Sequence, residues 1–189
     1  MSPPRPATIL CLGDSLTEGF GVASAYSYPS LLQQRLIEHG LPIRVLNAGI
    51  SGDTTQGVLR RLDPLLDTPV LMAIVTIGLN DAFMGIPPSA IHRTLERIIQ
   101  KLHQHQIQVI LSGLILPTDF PPDLRMGFAA IYPDLAADHQ LHLIPSFLEG
   151  IFEDPEYNQW DNIHPNEAGY RVITEQVWKI IRPLLPPLT

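Results

Sequence analysis

The chain has 189 residues, 45% of them hydrophobic, which suits one compact domain burying roughly 70% of its unfolded surface and leaves little for a second. A formal net charge of −7 argues against nucleic acid and anionic membranes as partners, and no apolar stretch reaches the roughly 20 residues of a bilayer span, so stable membrane insertion is not expected. The single cysteine, Cys11, excludes an intrachain disulfide and, inside an apolar run, reads as a core residue.

The opening MSPPRPATIL carries one Arg and an apolar segment too short for a secretory signal. The chain as written is expected in the cytoplasm, or in the periplasm or outside the cell if a signal peptide has been removed. Thr8 to Leu12 reads as a buried parallel strand, with Gly13 turning the chain sharply at its end. Ser15 then falls at a strand's carboxyl end, where open parallel sheets form their ligand crevice. Taken alone, such a serine is more often a helix cap. Tyr28, Leu31, Leu32 and Leu36 make a helical stripe stopped by Gly40, and Ile43 to Leu46 reads as a second strand, followed by NAGISGDT. Val70 to Ile77 is a third strand, followed by TIGLND. From Ala90 to Leu102, Ile91, Leu95, Ile98, Ile99 and Leu102 share one helical face.

Val109 to Leu111 predicts a fourth strand, Ile115 to Leu124 an irregular insertion, and His142 to Phe147 a fifth strand. A last helix is expected over Asn166 to Leu184, with Pro165 at its entry. Proline pairs at Pro87, Pro88, Pro121, Pro122, Pro186 and Pro187 mark loops or the tail. This alternation predicts an α/β domain with a parallel sheet of five strands covered on both faces.

The elbow G-x-S-x-G, a Walker A loop, G-x-G-x-x-G and H-E-x-x-H are all absent. Present is DNIHPN, with Asp161 and His164 three residues apart before the last helix. A serine needs a base to act as nucleophile, and a histidine needs an acceptor on its far nitrogen to hold the useful tautomer. Asp161 is placed to be that acceptor for His164. A cation held with Asp14 or Asp81 is the competing reading, but the several His or Cys ligands usual for zinc are not evident. His39, His92, His103, His105, His139 and His142 read as solvated and carry no chemistry. An acyl transfer passes through an oxyanion that needs donors, and the Gly52 N–H and the Asn80 side-chain amide are suitable. Each has a plainer explanation, since Asn80 with Asp81 is a common turn pair and Gly52 can simply supply a positive φ.

Together the four motifs resemble the SGNH family, also called GDSL hydrolases, in the family order: GDSL at Ser15, ISGDT at Gly52, GLND at Asn80 and DNIHPN at Asp161 and His164. The resemblance implies a flavodoxin-like three-layer α/β/α sandwich, residues 1–189 forming one SGNH hydrolase domain. It further implies that Ser15 is the nucleophile, His164 the base and then the acid, and Asp161 its orienter. The Ser15 N–H, the Gly52 N–H and the Asn80 amide would form the oxyanion hole, with no metal and no cofactor. Within the family, FAAIYPDLAADHQLHLIPSFLEG and the LPTDFPP loop resemble the bacterial thioesterase I, lysophospholipase and arylesterase branch. Leu79, where the branch often has a second glycine, is expected to reshape the pocket.

Leu79, Phe83, Met84, Ile86, Leu114, Leu116 and Phe120 are the expected lining of an acyl channel, since apolar pockets with a few placed polar groups are the usual small-ligand design. The expected function is hydrolysis of carboxylic esters and acyl thioesters through an acyl-enzyme, in the manner of a GDSL esterase or lipase, compatible with acyl-CoA thioesterase or lysophospholipase activity. The partner is a small-molecule ester or thioester, and the protein is expected to be a monomer or a weak homo-oligomer. A carbohydrate O-deacetylase and a non-catalytic flavodoxin-like binding module are the alternatives.

Overall fold

The structure, a computed structural model, describes residues 7–186, so Pro187 of the tail pair and the first six residues of the N-terminal segment lie outside the described residues. Strands β1 (Thr8–Gly13), β2 (Arg44–Gly49), β3 (Val70–Thr76), β4 (Gln108–Ser112) and β5 (His142–Ile144) form one parallel sheet in the order β2-β1-β3-β4-β5. That is the doubly wound, flavodoxin-like order, and it reverses direction between β1 and β3. β1 lies inside the sheet between β2 and β3 and is buried along its whole length, which is why Ile9 to Leu12 form an unbroken apolar run.

The helices are α1 (Ser15–Glu18), α2 (Tyr28–Glu38), α3 (Thr55–Arg60), α4 (Leu79–Phe83), α5 (Pro88–Gln104), α6 (Pro122–Asp138) and α7 (Glu167–Ile181). Because the strand order runs one way from β1 to β2 and the other way from β1 to β3, right-handed crossovers put α2 on one face and α3, α5 and α6 on the other. α7 returns to pack beside α2, while α5 touches both α3 and α6, completing three layers. The five aliphatic residues expected on one face of α5 are all fully buried. Each contributes about 1.5–3 kcal/mol relative to exposure.

Several boundaries differ from the sequence expectation for identifiable reasons. β5 stops at Ile144 instead of Phe147, because Pro145 has no N–H to donate to a ladder. Phe147 instead turns into the core, its N–H donating to the Gly113 carbonyl at 2.8 Å. β2 starts one residue later than expected, at Arg44, and runs on to Gly49 as an exposed edge. The insertion is irregular only as far as Pro121, since Pro122 opens α6 at a position where its missing N–H is harmless. The last helix begins after Asn166, whose side chain caps it by accepting the Gly169 N–H, and yields to a 3-10 turn at Arg182–Leu184 around Pro183.

Candidate active site

The site is assembled from turns at the carboxyl ends of three adjacent strands, β2, β1 and β3, and from the loop that precedes α7. At the end of β1 a Cβ on Gly13 would collide with Thr17 Oγ1 and with the Thr76 carbonyl, so only glycine lets α1 fold back so closely. Asp14, not Ser15, caps this short helix, with Oδ1 accepting the Leu16 N–H at 3.0 Å. The serine hydroxyl is thereby left for another partner. Burial, reinforced by the nearby Asp53 and Asp81 carboxylates, pushes the Asp14 carboxyl up to about 7 despite the bond from Leu16.

The Ser15 hydroxyl lies 2.9 Å from His164 Nε2, and His164 Nδ1 lies 2.6 Å from Asp161 Oδ2. The other Asp161 oxygen accepts the backbone N–H groups of Ile163 and His164 at 3.0 and 2.9 Å. Partial burial works against the charge on Asp161, but these bonds from His164 and Ile163 outweigh it and hold the carboxyl below its usual value. An ionised Asp161 fixes the imidazole with Nδ1–H donating to it and the Nε2 lone pair facing Ser15.

The loop carrying Asp161 and His164 is pinned by groups that the sequence reading did not single out. Asn158 and Pro165 pair as an isolated bridge, and the Gln159 N–H donates to the His164 carbonyl at 2.8 Å. Gln159 Nε2 also donates to the carbonyls of Phe20 at 2.7 Å and Pro165 at 2.9 Å, tying this loop to the segment after α1. Gly21 leaves room for that amide, since a Cβ there would run into it. The Phe20 ring lies against the imidazole, centroid to centroid 4.7 Å. Asn162 takes the left-handed conformation, φ 58°, that asparagine tolerates better than most residues.

Gly52 is the third residue of a turn closed by the Asp53 N–H on the Ile50 carbonyl at 3.0 Å, and its φ of 79° is the value a type II turn requires there. The Gly52 N–H takes no part in that closing bond. Nothing lies within 4 Å of the position its Cβ would take, so the space beside it is open. Glu18 holds this turn from α1, accepting from the N–H and the hydroxyl of Ser51. Asn80 is the second residue of α4, and its Nδ2 lies 2.9 Å from the Asp53 carbonyl and 3.3 Å from Asp14 Oδ2. The neighbouring Asp81 turns away from the site and accepts the Thr55 N–H and hydroxyl at 2.9 and 2.6 Å. Asp14 and Asp81, the residues of the competing cation reading, are thus a helix cap and an anchor for α3.

The expected acyl lining divides in two. Phe83 at the end of α4 and Met84 and Ile86 after it are exposed, and Phe120 packs against Phe83 with ring centroids 5.6 Å apart. Leu79, Leu114 and Leu116 are instead core residues, at most 4% exposed, and do not line an open channel. Leu79 opens α4 and packs inward, and in the strand-like segment after β4 the side chains alternate, so Ile115 takes the exposed position. Leu116 alone of the three reaches a surface groove, shared with Ile115, Pro122, Met126 and Ala129. Cys11 is fully buried and its thiol is pushed up to about 12, in keeping with a core role.

Residues 11–172 match the GDSL-like lipase/acylhydrolase family. The chain is 36% identical over 180 residues to esterase TesA of Pseudomonas aeruginosa, a match covering 94% of this chain and 89% of that protein. It is 34% identical over 179 residues to thioesterase 1/protease 1/lysophospholipase L1 of Escherichia coli strain K12, covering 94% of this chain and 85% of that protein. A crystal structure of TesA resembles this fold with a TM-score of 0.90 at 35% identity, covering 94% of this chain and 99% of that chain.

Proposed function

Because the chain belongs to the GDSL-like lipase/acylhydrolase family, we propose that this carboxylic ester hydrolase transfers acyl groups from esters and thioesters to water through Ser15. The observation that carries this reading is the unbroken hydrogen-bonded line from the Ser15 hydroxyl through His164 to Asp161, at 2.9 and 2.6 Å. His164 Nε2 takes the hydroxyl proton as Ser15 Oγ attacks the carbonyl carbon. Asp161 stabilises the imidazolium without itself taking the proton. The tetrahedral oxyanion is received by the N–H groups of Ser15 and Gly52 and by the Asn80 amide. Its collapse breaks the ester or thioester bond, and His164 returns the proton to the leaving alcohol or thiol. Water activated by the same imidazole then repeats the attack on the acyl-enzyme and frees the acid.

Phe83, Met84, Ile86, Ile115 and Phe120 form the apolar margin that receives the acyl chain. Each methylene buried there contributes about 0.8 kcal/mol, so kcat/KM rises by about fourfold per added methylene until the margin is filled. Residues 1–189 act as one hydrolase domain, a reading supported by the single core cluster that spans the sheet. All five site residues come from one chain, which favours a working monomer or a weak homo-oligomer.

Ser15→Ala tests the mechanism. The folded variant is expected to lose at least about 10⁴-fold in kcat on a short p-nitrophenyl ester. Near wild-type turnover by pure, folded Ser15→Ala protein would end the reading.

A further inference from the structure

We infer that Arg61 is a positioning residue of the oxyanion hole, clamping through Asp53 the three turns that carry its donors. The inference rests on the reading of Ser15, Gly52 and Asn80 given above. Arg61 lies just past α3, and its guanidinium spans two of the turns. Nε donates to Asp53 Oδ2 at 2.7 Å and Nη2 to the Gly13 carbonyl at 3.1 Å. Both side chains of the ion pair are largely buried, 22% and 13% exposed, so solvent screens the attraction little.

Each end of this clamp leads to an oxyanion donor. Gly13 is two residues before Ser15, and its carbonyl also accepts the Ile50 N–H at 3.1 Å, fixing the start of the turn that presents Gly52. Asp53 follows Gly52 directly, and its backbone carbonyl accepts Asn80 Nδ2 at 2.9 Å. That bond orients the Asn80 amide, while the second N–H has only the long 3.3 Å contact to Asp14 and is the one left for an oxyanion. Gly57 completes the arrangement, because a Cβ there would occupy the place of the Asp53 carboxylate. The planar fork of arginine suits two acceptors in different directions, whereas a lysine supplies one compact charge. Arg61 also sets a positive charge beside Asp53, one of the two carboxylates that act electrostatically on Asp14.

Arg61→Gln and Asp53→Asn, measured beside Ser15→Ala and Asn80→Ala, test this. Arg61→Gln is expected to lower kcat by about 10- to 100-fold, the scale for displacing donors by a fraction of an ångström or losing one, with KM within about twofold. Phosphonylation of Ser15 by a p-nitrophenyl phosphonate, which sets a negatively charged phosphoryl oxygen in the same hole as Ser15 Oγ displaces p-nitrophenolate, should slow by the same factor. In the Asn80→Ala background the effect of Arg61→Gln should shrink, because one of the donors it positions is gone. A folded Arg61→Gln protein with wild-type kcat, or one whose loss persists undiminished beside Asn80→Ala, overturns the inference. Should Arg61→Gln fail to fold, Arg61→Lys, which keeps the charge and loses the fork, carries the same test with the same two outcomes. Activity surviving in Ser15→Ala would instead overturn the underlying mechanism, so the two failures are told apart.

Discussion

Two aspartates of the site are driven in opposite directions by their surroundings. Asp161 is held below its usual value because donated N–H bonds outweigh its burial, so it stays charged and keeps the imidazole in the tautomer that accepts a proton. Asp14, buried next to Ser15 in the chain and acted on by Asp53 and Asp81, is raised to about 7 from 3.8. A raised carboxyl binds its proton more tightly in the folded state than in the unfolded one. The stability it contributes is therefore full below about 4 and is lost as pH climbs through about 7, a change on the order of a few kcal/mol. Asp14→Asn, which keeps a capping oxygen but does not ionise, should flatten the dependence of Tm on pH between about 4 and 7 relative to the parent. An unchanged slope in thermal melts across that window would refute this. The proposed triad of Ser15, Asp161 and His164 could be picked out from the sequence because each residue sits in a short motif. Gln159, Phe20 and Arg61 could not be, because their contacts join distant positions, Gln159 reaching Phe20 across 139 residues, and leave no local pattern.

At the scale of elements, the helices and strands build a rigid floor while the turns above it aim the chemistry. Periodicity made the floor readable, as the α5 stripe and the apolar run of β1 show, since burial imposes a pattern on the residues themselves. The short helices α1, α3 and α4 have no such period, being too brief to repeat a face. The same lack of period accounts for the misread lining, because whether Leu79, Leu114 or Ile115 points inward is decided by the turn geometry of the strand ends. The separation of floor and turns has a measurable consequence. Ile98→Ala in α5 opens a cavity under the sheet and should cost about 2–5 kcal/mol in denaturant unfolding while leaving kcat within about twofold at temperatures where the protein stays folded. A large fall in kcat from that substitution would show that the floor and the site are not independent.

For the molecule as a whole, the order β2-β1-β3-β4-β5 decides where catalysis can occur. The reversal between β1 and β3 opens a crevice at their carboxyl ends, and the chain then returns through the loop before α7 to deliver Asp161 and His164 across it. That convergence was legible only through the family resemblance, since residues 15 and 164 share no local signal, and the comparisons now place the chain in that family. The net charge of −7 acts over the whole surface and repels anionic substrates at long range. A polyanionic acyl-CoA thioester should accordingly gain about a few-fold in kcat/KM as salt rises from about 0.01 to 0.15 M, the Debye length shrinking from about 30 to 8 Å, while a neutral ester of equal chain length stays level. Equal salt responses for the two substrates would remove long-range charge from the account.

The central claim is that one hydroxyl, activated by His164, carries the acyl group. Intact-mass and peptide mass spectrometry after reaction with a p-nitrophenyl phosphonate tests it most directly. One phosphonyl group per chain is expected, on Ser15, appearing in step with loss of activity and absent from Ser15→Ala and His164→Ala proteins. Inactivation with the label on any other residue, or full labelling of Ser15 that leaves hydrolysis intact, would contradict it.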